Sequence, residues 1–154
     1  MKKWIGLVLC ILTVFSLCFV FSNSMKKDTQ VEATKSKVVE TVEKVIETIV
    51  NKDVSLKKLG KRFIAKVGHV LEYFVFSALL TFTYFYLQGS LPSEAFYRLA
   101  FVFSFCALAD EHLQSIGEGR SSRVSDVLID LSACFVGYAV SRGVFVLMER
   151  RKKK

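Results

Sequence analysis

Three short constellations carry the residues able to do chemistry. His69, Glu72 and Tyr73 stand at i, i+3 and i+4, a spacing that puts all three on one face of a helix. Asp110, Glu111 and Gln114 form the second; Arg120, Asp126 and Asp130 form the third, its two aspartates four apart. Imidazole titrates near neutrality and a neighbouring carboxylate orients it, so His69 with Glu72, Asp110 and Glu111 makes a candidate acid/base set. Arg120 offers a planar fork of donors suited to a carboxylate or phosphate. Tyr73, Gln114, Asp126 and Asp130 complete a candidate ligand-binding group around it. One imidazole plus several carboxylates is enough in number for a divalent metal. Neither HExxH nor a paired Glu-x-x-His arrangement is present, however, and no metal or other cofactor is expected. The plain alternative is a structural polar network in which Arg120 bridges Asp110, Glu111 or Asp126 and ties its loop down. No Ser or Cys nucleophile stands out, and Ser121 and Ser122 read as loop residues.

These residues sit near the ends of long apolar runs, where an ionisable group is less costly than the ~2.5 kcal/mol or more it costs at a span centre. The first run covers residues 4–22 behind Lys2 and Lys3; at a rise of ~1.5 Å per residue it nearly matches a bilayer core of roughly 30 Å. It reads as an uncleaved signal-anchor, residues 1–24, although Ser22-Asn23-Ser24 offers a poor small-residue cleavage site. Residues 25–60 change character: Val31, Val38, Val42, Val45 and Ile49 recur at helical spacing, with Glu40, Glu43, Lys44 and Glu47 opposite, as in a surface-lying amphipathic helix. Apolar runs at 64–87, 94–113 and 125–148 follow, separated by the turn Leu91-Pro92-Ser93 and a glycine-bearing polar loop at 116–122. The expected fold is an all-α membrane protein with four transmembrane helices plus the amphipathic surface helix. Residues 61–149 form its three-helix membrane core and residues 150–154 a basic tail. Alternation of direction then forces the start of the second span, the end of the third and the start of the fourth to one membrane face. The three constellations converge there whichever way the chain is inserted.

Composition agrees. The chain is 52% hydrophobic with 14 Phe in 154 residues, more than so short a soluble protein can bury. The net charge of +8 comes without zinc-finger, RNP or helix-turn-helix signatures, which argues against nucleic acid. Basic residues flanking spans suit anionic headgroups instead, so membrane lipids are the expected partners. Cys10, Cys18, Cys106 and Cys134 lie inside apolar runs without CxxC spacing and read as small core residues. Ala133, Gly137 and Ser141, spaced by four, let another helix approach closely. Phe96, Phe101, Phe103 and Phe105 are read as lipid-facing or packing surface, and Arg142 as snorkelling to its interface.

Taken in order, His69-x-x-Glu72-Tyr73, Asp110-Glu111-x-x-Gln114, Gly119-Arg120, then Asp126 and Asp130 ahead of Gly137 resemble the VanZ-like family, small bacterial membrane proteins named for a teicoplanin-resistance determinant. The resemblance covers roughly residues 61–148. The family commonly has Asn where this chain has Asp130, often Gly where it has Ala133, and often Pro where Glu118 precedes Gly119-Arg120; His112 lies outside the pattern. The resemblance implies an envelope function and glycopeptide tolerance, with a lipid-linked cell-wall precursor or a glycopeptide-related ligand as partner, and carries over no settled chemistry.

Lys2 and Lys3 argue for an internal N-terminus and the tail from Arg150 to Lys154 for an internal C-terminus, which together place the polar cluster outside. Lys57, Lys58, Lys61, Arg62 and Lys66 pull the other way. Two functional expectations follow: a factor binding an anionic lipid-linked or peptidyl ligand through Arg120, or a membrane enzyme acting on a lipid or cell-wall precursor with His69 as acid/base and Arg120 as anion clamp.

Overall fold

Helix formation follows the apolar runs and stops where the backbone is released. The computed structural model describes residues 2–25, 54–116 and 123–152, with side chains for 4–25, 66–116 and 123–151. Four helices make up the described residues: α1 (Lys2–Ser24), α2 (Val54–Gln88), α3 (Ser93–Ile116) and α4 (Val124–Lys152). Gly89 ends α2: its φ of 75° and the bond from its amide to the Phe85 carbonyl at 2.7 Å make it a left-handed helix stop that a side chain would strain. Ser93 opens α3 one residue after Pro92, whose carbonyl accepts from the Ala95 amide at 3.0 Å.

Trp4–Ser24, Lys66–Gln88 and Val124–Arg151 are long and apolar enough to cross a membrane, so the chain is a multi-helix membrane protein. The expected third span is a helix of 24 residues, but it carries Glu94, Arg98, Asp110 and Glu111 and does not share that apolar composition. The expected amphipathic helix falls almost wholly on residues 26–53, outside the described ones. α2 already begins at Val54 and runs unbroken through the boundary placed at 60/61.

The helices meet through small residues. On α1, Gly6, Thr13 and Val20 are buried at seven-residue steps, the repeat of a left-handed helix seam. A Cβ on Gly6 would come within 2.9 Å of Leu87 Cδ2, and the hydroxyls of Thr13 and Thr83 lie 2.9 Å apart. On α4, Ala133, Gly137 and Ser141 are all buried, as their spacing implied. A Cβ on Gly137 would lie 2.1 Å from Ser77 Oγ and 2.7 Å from the Phe74 carbonyl, so α4 touches the α2 backbone there. Between them sits a core of Tyr73, Phe76, Leu99, Phe103, Cys134 and Tyr138, its rings meeting mostly edge to face. Phe103 is 1% exposed whereas Phe101 and Phe105 are 74% and 65% exposed; α3 thus uses its phenylalanines both for packing and for its outer face. All four cysteines are free, with Cys106 and Cys134 buried.

Candidate functional site

At one end of the bundle the last turns of α1 and α3 meet the middle of α2, where its apolar stretch begins, and the early turns of α4. Asp110, fully buried, accepts hydrogen bonds from the Ser24 hydroxyl on one oxygen and from Gln114 Nε2 at 2.9 Å on the other. His69 Nδ1 lies 3.9 Å from Asp110 Oδ2, too far for a hydrogen bond. Asp130, 3% exposed, brings a carboxylate oxygen to the same place. Ligand-type atoms of His69, Asp110 and Asp130 all lie within 4.8 Å of one another.

Around this centre the polar residues pair off. Asn23 Nδ2 donates to Glu72 Oε1 at 2.8 Å. Glu111, 5% exposed, accepts the Arg123 main-chain amide, and its Oε2 is buried without a hydrogen-bond partner. Asp126 forms an ion pair with Lys66 at 2.8 Å, both partly exposed, which links the middle of α2 to the first turn of α4. Asp130 stays within electrostatic reach of Asp110, Asp126, Glu111 and Glu72. The described part of the site is therefore acidic.

The next turn inward repeats the arrangement with weaker groups. Four residues along each helix from Ser24, His69, Asp110 and Asp130 stand Val20, Tyr73, Cys106 and Cys134, all buried. Tyr73 Oη donates to the Cys106 carbonyl at 3.4 Å, and Cys134 Sγ lies 3.7 Å from the Tyr73 carbonyl. Tyr73 thus closes the floor of the site, whereas its i+4 spacing from His69 put it among the ligand contacts. Sequence reasoning did bring together His69, Glu72, Asp110, Glu111, Gln114, Asp126 and Asp130. Arg120 lies outside the described residues.

Sequence reasoning missed Asn23, Ser24 and Lys66. The first two were read as a poor cleavage site and the third as a topology signal. Alternation, applied also to the first span, would have brought the end of α1 to the same face.

Beside the cluster, on the outer seam of α2 and α4, runs an apolar groove of about 520 Å³ lined by Val70, Phe74, Leu128, Ser132 and Val136. Val70 and Ile129, both at this groove, directly adjoin His69 and Asp130 in sequence. A polar head and an apolar chain can therefore be held side by side.

A family model described as VanZ/LLP1 matches residues 4–147. It begins in α1, well before the motifs at residue 61 onward that suggested the resemblance. Neither a curated protein nor a solved structure matches the chain.

Proposed function

Given that this chain belongs to the VanZ/LLP1 family, we propose that it binds a lipid-linked envelope ligand at the extracytoplasmic face and thereby contributes to glycopeptide tolerance. The observation that carries this reading is the adjacency of the buried polar cluster and the apolar groove on the α2–α4 seam. A groove of that size suits part of an acyl or prenyl chain, while the cluster and Arg120 take the anionic or peptidyl head. α3 serves as a fourth span, its acidic end packed against α1 and α4. The basic termini support an outward-facing cluster. The pairing of Lys66 with Asp126 supports it too, because it gives one opposing lysine a partner within the protein.

Cells expressing wild type should gain tolerance to teicoplanin. Cells with His69→Ala, Glu111→Ala or Arg120→Ala at equal membrane abundance should lose it, with vancomycin tested in parallel. Absence of any effect of wild type on either drug would remove the tolerance reading. Ser132→Trp, which fills the groove from an exposed position, should weaken binding of a polyprenyl-phosphate lipid to the purified protein about tenfold.

A second reading, a membrane enzyme acting on a lipid or cell-wall precursor, is favoured by the placing of His69 beside Asp110 at 3.9 Å, where a shortening of the gap on ligand binding would let the carboxylate orient an acid/base imidazole. Under it, His69→Ala retains lipid binding and loses turnover, whereas Arg120→Ala loses binding.

A further inference from the structure

We propose that His69, Asp110 and Asp130 hold one divalent metal ion. The three residues come from three different helices, and their ligand-type atoms all lie within 4.8 Å of one another. First-row divalent ions bind imidazole and carboxylate at about 2.0–2.2 Å, which sets neighbouring ligand atoms about 3–4 Å apart; the His69–Asp110 separation of 3.9 Å is already near that range. One nitrogen and two carboxylate oxygens fit Zn²⁺ or Mn²⁺ better than Ca²⁺ or Mg²⁺, which favour all-oxygen sites.

The second observation is which buried polar atoms around them lack a partner. His69 Nδ1 is buried with no hydrogen-bond partner. Asp130, only 3% exposed, faces the carboxylates of Asp110, Asp126, Glu111 and Glu72. Glu111, next to Asp110, leaves Oε2 buried and unpaired. Three carboxylates and an imidazole thus crowd one buried place, and an unpaired buried polar atom there, such as Glu111 Oε2, is costly. Of the described basic side chains at this end, Lys66 is engaged with Asp126 and Arg123 is exposed. A cation bound among the acceptors resolves the conflict.

The outer contacts match the same purpose. Asp110 is held on both oxygens, by Ser24 and Gln114, as carboxylates that ligate metals are commonly oriented by surrounding hydrogen bonds. His69 has a side chain 26% exposed, which gives an ion a way in from the end of the bundle. Three protein ligands leave at least one position open, in the manner of sites that exchange water for a ligand oxygen. A bound dication also supplies the positive charge that an acidic site needs to receive an anionic head. The metal site itself stands on the helix geometry and not on the identity of the ligand.

Full-length protein in detergent, stripped by chelation and then titrated with Mn²⁺ or Zn²⁺ alone, should take up one ion per chain. Asp130→Asn, which keeps the side-chain shape, should lower affinity by at least about tenfold. Pulsed electron paramagnetic resonance of the Mn²⁺ form should show nitrogen coupling from an imidazole, absent in His69→Ala. Lack of stoichiometric uptake by wild type overturns the proposal, as does lack of nitrogen coupling, and both are read on wild type even where a variant fails to fold. Equal affinity in wild type and folded Asp130→Asn also overturns it and points to a shared proton instead. No lipid is present in this experiment. Its failure leaves lipid binding standing, and loss of lipid binding with uptake intact overturns the lipid reading alone.

Discussion

At the residue scale the chain concentrates its polar risk in Asp110. Two donors depend on it, Ser24 from α1 and Gln114 from its own helix. Asp110→Ala should strand both and destabilise the fold by about 1–3 kcal/mol, the usual cost of orphaning buried hydrogen-bonding groups. Asp110→Asn retains one acceptor oxygen and should lose less. Thermal unfolding in detergent, followed by size-exclusion, ranks the two; equal melting points for wild type and Asp110→Ala would mean that these bonds contribute little. The meeting of His69, Asp110 and Asp130 was legible in the sequence because charged residues at span ends can be assigned to a face by counting crossings. Ser24 was not, since a hydroxyl at the end of an apolar run carries no charge to mark it. Nor was the metal geometry: with one ligand per helix there is no local spacing to recognise.

At the scale of elements, contact between α2 and α4 depends on the missing side chain at Gly137. Gly137→Leu should cost about 1–3 kcal/mol or more, as overpacking does, because a Cβ there already meets Ser77 Oγ at 2.1 Å and the Phe74 carbonyl at 2.7 Å. Backbone cannot swing aside as a side chain can. Gly143, one and a half turns on, has nothing within 4 Å of its would-be Cβ, so Gly143→Ala should be neutral or slightly stabilising. Parallel melting curves of the two variants separate a true close approach from general intolerance of change in α4. The Ala133, Gly137 and Ser141 row was readable from its spacing. The row of Gly6, Thr13 and Val20 was equally present, but an apolar run taken for an anchor hides its own packing face.

At the scale of the whole molecule, α1 belongs to the bundle. Its contacts with α2 run the length of α1 and the C-terminal half of α2, from Gly6 against Leu87 through Thr13 and Thr83 to Asn23 and Glu72. Thr13→Cys with Thr83→Cys, in a background with the four native cysteines replaced, should cross-link on mild oxidation in native membranes, whereas Phe15→Cys with Thr83→Cys should not, Phe15 being 70% exposed. Failure of the first pair to link would mean that α1 does not stay docked. The multi-helix membrane character followed from the lengths of the apolar runs and the segregation of charge between them. The status of α3 did not, because Glu94, Arg98, Asp110 and Glu111 lower its apolar character, and whether they are tolerated depends on neighbours that no single-helix criterion includes.

The hydrogen bond from Ser24 to Asp110 has a consequence for how the protein is made. α3 carries a buried carboxylate, Asp110, and one of that carboxylate's partners, Ser24, was synthesised 86 positions earlier. The first helix must therefore be within reach once the third is made, and the fourth completes the set by bringing the Arg123 amide to Glu111. The order of helices along the chain doubles as an assembly schedule, in which the most apolar helix is made first and later receives the buried carboxylate of the third.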